Sequence, residues 1–141
     1  GRKPFLWENL FANDGPKNCK FLKLHAYSGR SKELLQETKG VALNLMNQAK
    51  LSQILFHASY LTLTTVSSPE ECFAAALEEQ CSPDFAEFLL DHRDAFLKQG
   101  YETVRTFENM KKKLQTFSDP AAREVLDWIN GSYLVGPECL T

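Results

Sequence analysis

The chain has 141 residues, with 16 Lys and Arg against 18 Asp and Glu, a net charge of −2, and 43% hydrophobic residues. That length suits one domain with a substantial core and is short for two. The composition excludes a disordered, collagenous or low-complexity chain, and the balanced charge gives no overall pull toward nucleic acid or an anionic membrane.

Pro4 opens a short aromatic helix to about Ala12, closed by Asn13-Asp14-Gly15-Pro16. Residues 18–27 fit two periods: Leu22, Leu24 and Ala26 alternate as in a strand, whereas Phe21 with Leu24 and Leu22 with Ala26 suit a helix. A single strand would have no partner elsewhere in the chain, so helix is preferred. Leu34, Leu35, Thr38, Val41, Ala42, Leu45 and Ala49 predict a helix over 31–49, interrupted only by Gly40, and Leu51, Ile54, Leu55, Ala58 and Leu61 predict the next. Ser68-Pro69-Glu70-Glu71 is a capping box with Pro at the first helical position, and it opens a helix over 69–81. Ser82-Pro83 and Asp119-Pro120 repeat the cap-then-Pro device, giving helices over 83–99 and 120–130. A helix over 101–117 carries Val104, Phe107, Leu114 and Phe117 on one stripe, and Gly100 and Gly131 end the runs before them.

The expected fold is therefore all-α: one multi-helix bundle or a short stack of antiparallel hairpins, with about six to seven helices over residues 1–141 and a C-terminal tail at 132–141. Residues 40–69 carry a single charge, Lys50, and are predicted to form a shielded centre. The acidic segment 70–98 would wrap outside it. No stretch is apolar enough to span a membrane. The start at Gly1 reads as the interior of a larger protein. Cys19, Cys72, Cys81 and Cys139 lack disulfide-type spacing, so the expectation is reduced thiols in an intracellular protein, cytoplasmic or nuclear.

The sequence carries few marks of chemistry. His92-Arg93-Asp94 matches the triplet of a kinase catalytic loop, but the glycine-rich phosphate loop and the Asp-Phe-Gly sequence are missing. No close Cys or His pair suggests a metal, and no Gly-x-Ser-x-Gly elbow suggests a serine hydrolase. No catalytic residue, cofactor or metal is therefore expected.

The favoured function by elimination is a non-catalytic protein-interaction or scaffolding module that takes a partner helix or peptide. Its aromatic anchors would be Phe5, Trp7, Phe11, Trp128 and Tyr133, with Glu78, Glu79, Asp84, Glu87 and Asp91 steering a basic partner. The alternative is a nucleic-acid-binding helical module using Lys17, Lys20, Lys23, Arg30, Lys111, Lys112 and Lys113, the first three sharing a helix face. An enzyme with an unrecognised site would instead show a pocket around His92 or His57.

Overall fold

The computed structural model describes residues 1–136, so the expected tail is covered only in part and Cys139 lies outside the described residues. The chain is mostly helical, as its periodicity implied, with eight α-helices and one small two-stranded sheet among the described residues. No described helix is long and apolar enough to cross a membrane.

The first departure is at the N-terminus. Residues Phe5–Glu8 form strand β1, not a helix, and Gly40–Leu43 form strand β2, which pairs with it in parallel, Phe5 opposite Gly40 and Glu8 opposite Leu43. The bonds Lys39 N to Pro4 O and Asn44 N to Glu8 O, both 2.8 Å, continue the ladder at either end. The expected helix over 31–49 shrinks to α2, Leu34–Glu37. Gly40 helps explain why: a Cβ there would lie 2.9 Å from the Phe5 ring, so the aromatic strand covers a residue that must stay small. Helical spacing in 31–49 is overridden by hydrogen bonds from a partner far away in sequence.

Parallel strands need a long crossover, here residues 9–39, which hold α1 (Gly15–Asn18) and α2. Residues 19–27 settle into neither a helix nor a strand. Their alternation is nonetheless real, since Leu22, Leu24 and Ala26 are buried while Phe21, Lys23 and His25 are half-exposed.

After β2 comes α3, Ala49–Thr64, whose Leu51, Ile54, Leu55 and Ala58 enter the core. Its start is capped from another part of the chain. Gln48 at the N-cap makes no side-chain bond to the helix; instead the Glu124 carboxylate accepts from Lys50 N and Leu51 N at 2.8–3.0 Å. An anion on orphan donors at a helix N-terminus is favourable twice, by hydrogen bonding and by the helix dipole. Glu124→Ala is expected to lower the unfolding free energy by about 1–2 kcal/mol, with Glu124→Gln intermediate, in a urea titration.

Helix α4, Pro69–Gln80, starts with the expected capping box: Glu71 N donates to Ser68 Oγ at 3.3 Å and Ser68 N to Glu71 Oε2 at 2.7 Å. Those bonds hold the Glu71 carboxyl below the usual carboxylate range. Helix α5, Pro83–Asp94, continues through a π turn at Ala95–Gln99. Ser82 and Asp119 do not cap their own helices. They bond each other, Ser82 N and Oγ each donating to the Asp119 carboxylate at 2.7 Å.

The expected helix over 101–117 divides into α6, Tyr101–Val104, and α7, Glu108–Leu114. At the break the Thr106 hydroxyl donates to Thr103 O at 2.7 Å, a local bond of the kind that competes with helix continuation. Helix α8, Pro120–Ile129, closes the core with Val125, Trp128 and Ile129. Trp128 is fully buried, donates from Nε1 to Cys19 O at 2.8 Å, and meets the rings of Phe96 and Tyr101 edge-on at 6.0 and 5.9 Å.

Residues 40–69 are not the shielded centre that was expected. One face of α3 is open, with Phe56 57% and Tyr60 58% exposed, and all four residues of β2 are only half-buried.

Candidate functional site: a polar pocket at the ends of two parallel strands

In a parallel pair, partnered residues share a face. Val41 and Leu43 line a cavity with Phe56 and Tyr60 of α3, so that side of the sheet, with Leu6 and Glu8, looks toward the helices. Phe5 and Trp7, 65% and 70% exposed, stand with Gly40 and Ala42 on the opposite, open face. The chain leaves both strands at the same end, and Asn9 and Asn44 are the first residues after them. They line a polar concavity of about 380 Å³ with Leu10, Ala12, Asp14, Asn18 and Lys23. Ligand sites in parallel α/β folds lie at this end of the strands.

The hydrogen bonds there fix which atoms remain free. Trp7 Nε1 sits 3.0 Å from Asn9 Oδ1, and an indole nitrogen can only donate. The same oxygen accepts from Asn44 Nδ2 at 3.0 Å. Two donors on one oxygen orient both amides, leaving Asn9 Nδ2 as a donor and Asn44 Oδ1 as an acceptor. Asp14 adds a carboxylate with no ion-pair partner among the described residues. Such a mixture suits a ligand rich in hydroxyl and amide groups.

Beneath the pocket, buried Asn13 ties three segments together. Its Oδ1 accepts from Asn47 N at 2.9 Å, and its Nδ2 donates to Gln48 Oε1 at 2.8 Å and to Phe21 O at 3.2 Å. Gly15, at φ +79°, turns the chain away immediately after Asp14.

Other concavities are poorer in convergent polar groups. The largest described, about 710 Å³, is an apolar groove along α3 with Leu45, Met46, Phe56 and Tyr60. His57 stands at its rim, 3.2 Å from Gln80 Nε2 and 3.4 Å from Glu79 Oε2. His92 borders a shallow pocket with residues 106–110, its Nδ1 2.9 Å from Phe88 O and its ring stacked on Phe88. Cys81 is no thiolate nucleophile, because burial and then the nearby Asp119 charge push its thiol up to about 12.

The residues singled out from the sequence are dispersed. Phe11 and Trp128 are core residues with no exposed surface, so neither can anchor a partner, and Tyr133 is half-buried against the core. Phe5 and Trp7 are exposed, but on the sheet rather than on a helix. Glu78, Glu79, Asp84, Glu87 and Asp91 are exposed along α4 and α5. Lys17, Lys20 and Lys23 share no helix face, because α1 ends at Asn18. Lys20 pairs with Glu102 at 3.4 Å, Arg30 with Glu8 at 2.6 Å and Lys111 with Glu108 at 2.8 Å, while Lys112 and Lys113 are exposed on α7. Asn9, Asp14 and Asn44 did not stand out in the sequence, because Asn13-Asp14-Gly15 reads as a helix stop. The available signal was an Asn directly after each of two short runs rich in aromatic or aliphatic residues.

Residues 1–92 match the family model described as beta-N-acetylglucosaminidase, and the chain belongs to that family. Among solved structures, a mutant of the Thermobaculum terrenum O-GlcNAc hydrolase superposes with a TM-score of 0.62 at 22% sequence identity, a likeness of fold. The superposition covers 81% of this chain and 25% of that one, so the chain spans about a quarter of that protein's length. No curated protein matches the chain. The family assignment overturns the expectation of a non-catalytic interaction or scaffolding module. Elimination rested on the absence of catalytic motifs, and Asn9, Asp14 and Asn44 belong to none.

Proposed function

We propose that this chain supplies part of the substrate-binding wall of a β-N-acetylglucosaminidase, with Asn9, Asn44 and Asp14 holding the sugar. The observation that carries this reading is the oriented amide pair at the carboxyl ends of β1 and β2. Asn9 Nδ2 donates to a sugar oxygen, Asn44 Oδ1 accepts from a hydroxyl or an acetamido N–H, and Asp14 accepts from one or two hydroxyls. The exposed Trp7 indole, held by Asn9, offers an apolar surface for a pyranose ring.

Hydrolysis of a glycosidic bond also needs a positioned acid and a nucleophile or base. Neither role falls to Asn9, Asn44 or Asp14. Their part is to bind and orient the sugar, which lowers the entropic share of the barrier. A parallel sheet is normally covered on both faces. The open face around Phe5 and the apolar groove on α3 fit that rule if further strands and helices of the enzyme pack there, leaving Trp7 at the pocket end uncovered.

The test is a titration of the chain with methyl β-N-acetylglucosaminide, followed by amide NMR. Shifts should concentrate at Asn9, Asp14 and Asn44, and Asn44→Ala or Asp14→Ala should weaken binding about tenfold, the loss of one well-made polar contact. Saturable binding that leaves those three signals unmoved would refute the assignment.

A further inference from the structure

One cationic residue, Lys23, lines the polar pocket, and a neutral sugar does not call for it. We infer that Lys23 is a specificity-determining residue that makes the pocket favour a sugar ligand bearing an anionic group; this inference rests on the assignment of the pocket as a sugar site.

Local structure aims the side chain. Leu22 and Leu24 are fully buried, so in this extended segment Lys23 must point away from the core. Its backbone N–H is held by Met46 Sδ at 3.1 Å, which fastens residue 23 beside the chain that leaves β2. The ammonium lies 5.6 Å from the centroid of the Phe21 ring, whose face supports a cation on the same side of the segment. Met46 and Phe21 thus fix both ends of the residue.

Among the described residues no carboxylate lies within ion-pair distance of Lys23, whereas Lys20, Arg30, Lys98 and Lys111 each have one. Asp14 shares the concavity without pairing to it. Asp14 is suited to accept hydrogen bonds from hydroxyls and Lys23 to pair with a negative group, so the two charges divide the ligand between them. A half-buried cation attracts an anion more than a fully solvated one does, because less water screens it. The anionic group could belong to the sugar, as a 6-phosphate, or to the aglycone, as an acidic residue beside a glycosylated serine.

Three probes separate these cases: methyl β-N-acetylglucosaminide, N-acetylglucosamine 6-phosphate, and a β-N-acetylglucosaminyl-serine peptide with an adjacent Asp. Dissociation constants would be measured by NMR titration of the chain at low and at physiological salt. One of the two anionic probes should bind three- to tenfold tighter than the neutral one, and the gain should shrink with added salt. The probe that shows the gain locates the anion. In Lys23→Gln the ratio of anionic to neutral affinity should fall to about one, and Lys23→Arg should retain most of it. If the neutral sugar binds but neither anion gains, or if the gain survives in Lys23→Gln, the role of Lys23 is refuted and the sugar pocket stands. If the neutral sugar does not bind, the pocket assignment falls and this inference falls with it.

Discussion

Trp128→Ala is expected to lower the unfolding free energy by about 3–5 kcal/mol, the largest loss from a single side chain in this fold. The residue is completely buried between Phe96 and Tyr101, so truncation leaves a cavity that two edge-on aromatic contacts cannot close. It also strands Cys19 O, which loses the indole donor at 2.8 Å. Trp128→Phe keeps much of the volume and loses the bond, so it should cost less than half as much. Arg123→Ala, one turn away and exposed, provides the control and should stay within about 0.5 kcal/mol. Urea titrations of the three variants check the series. A Trp128→Ala loss below about 1 kcal/mol would mean that α8 does not pack as described.

Asn13→Ala should have the second largest effect, about 2–4 kcal/mol, although it removes few atoms. The side chain is buried and fully used, accepting one bond and donating two, so its loss leaves Asn47 N, Gln48 Oε1 and Phe21 O without their partner. Buried polar groups left unpaired carry the whole desolvation penalty. The consequence reaches the site. Asn13 joins the loop after β1 to the loop after β2, the two loops that present Asp14 and Asn44. Affinity at the proposed sugar site should therefore fall in Asn13→Ala even though the residue does not line the pocket, and amide exchange at Asn47 should accelerate. Unchanged exchange at Asn47, with stability preserved, would contradict the role of Asn13 as a tie.

Local sequence signals were reliable where the deciding interactions were local. Ser68 to Glu71 encode a cap within one helical turn, and helices α4, α5 and α8 begin at Pro69, Pro83 and Pro120 as their punctuation implies. The signals failed where the deciding partner was remote. Phe5–Glu8 and Gly40–Leu43 have little reason to be strands except each other, and the start of α3 depends on a carboxylate from α8. The same limit hid the site. Asn9 and Asn44 are ordinary surface amides until the parallel pairing brings them within 3.0 Å. Lys23 drew notice only as one member of a basic group, and the alternation of Leu22 and Leu24 is what separates it from Lys17 and Lys20. The low charge of 40–69 implies full burial, but α3 places Phe56 and Tyr60 on an open face.

The two tryptophans occupy opposite environments, Trp7 on the open sheet beside Asn9 and Trp128 sealed in the core. Their fluorescence should therefore divide into a red-emitting and a blue-emitting population. A quencher such as iodide should reach the first and spare the second. Ligand occupancy and global unfolding would then be readable as separate optical signals from the native chain, with no label attached.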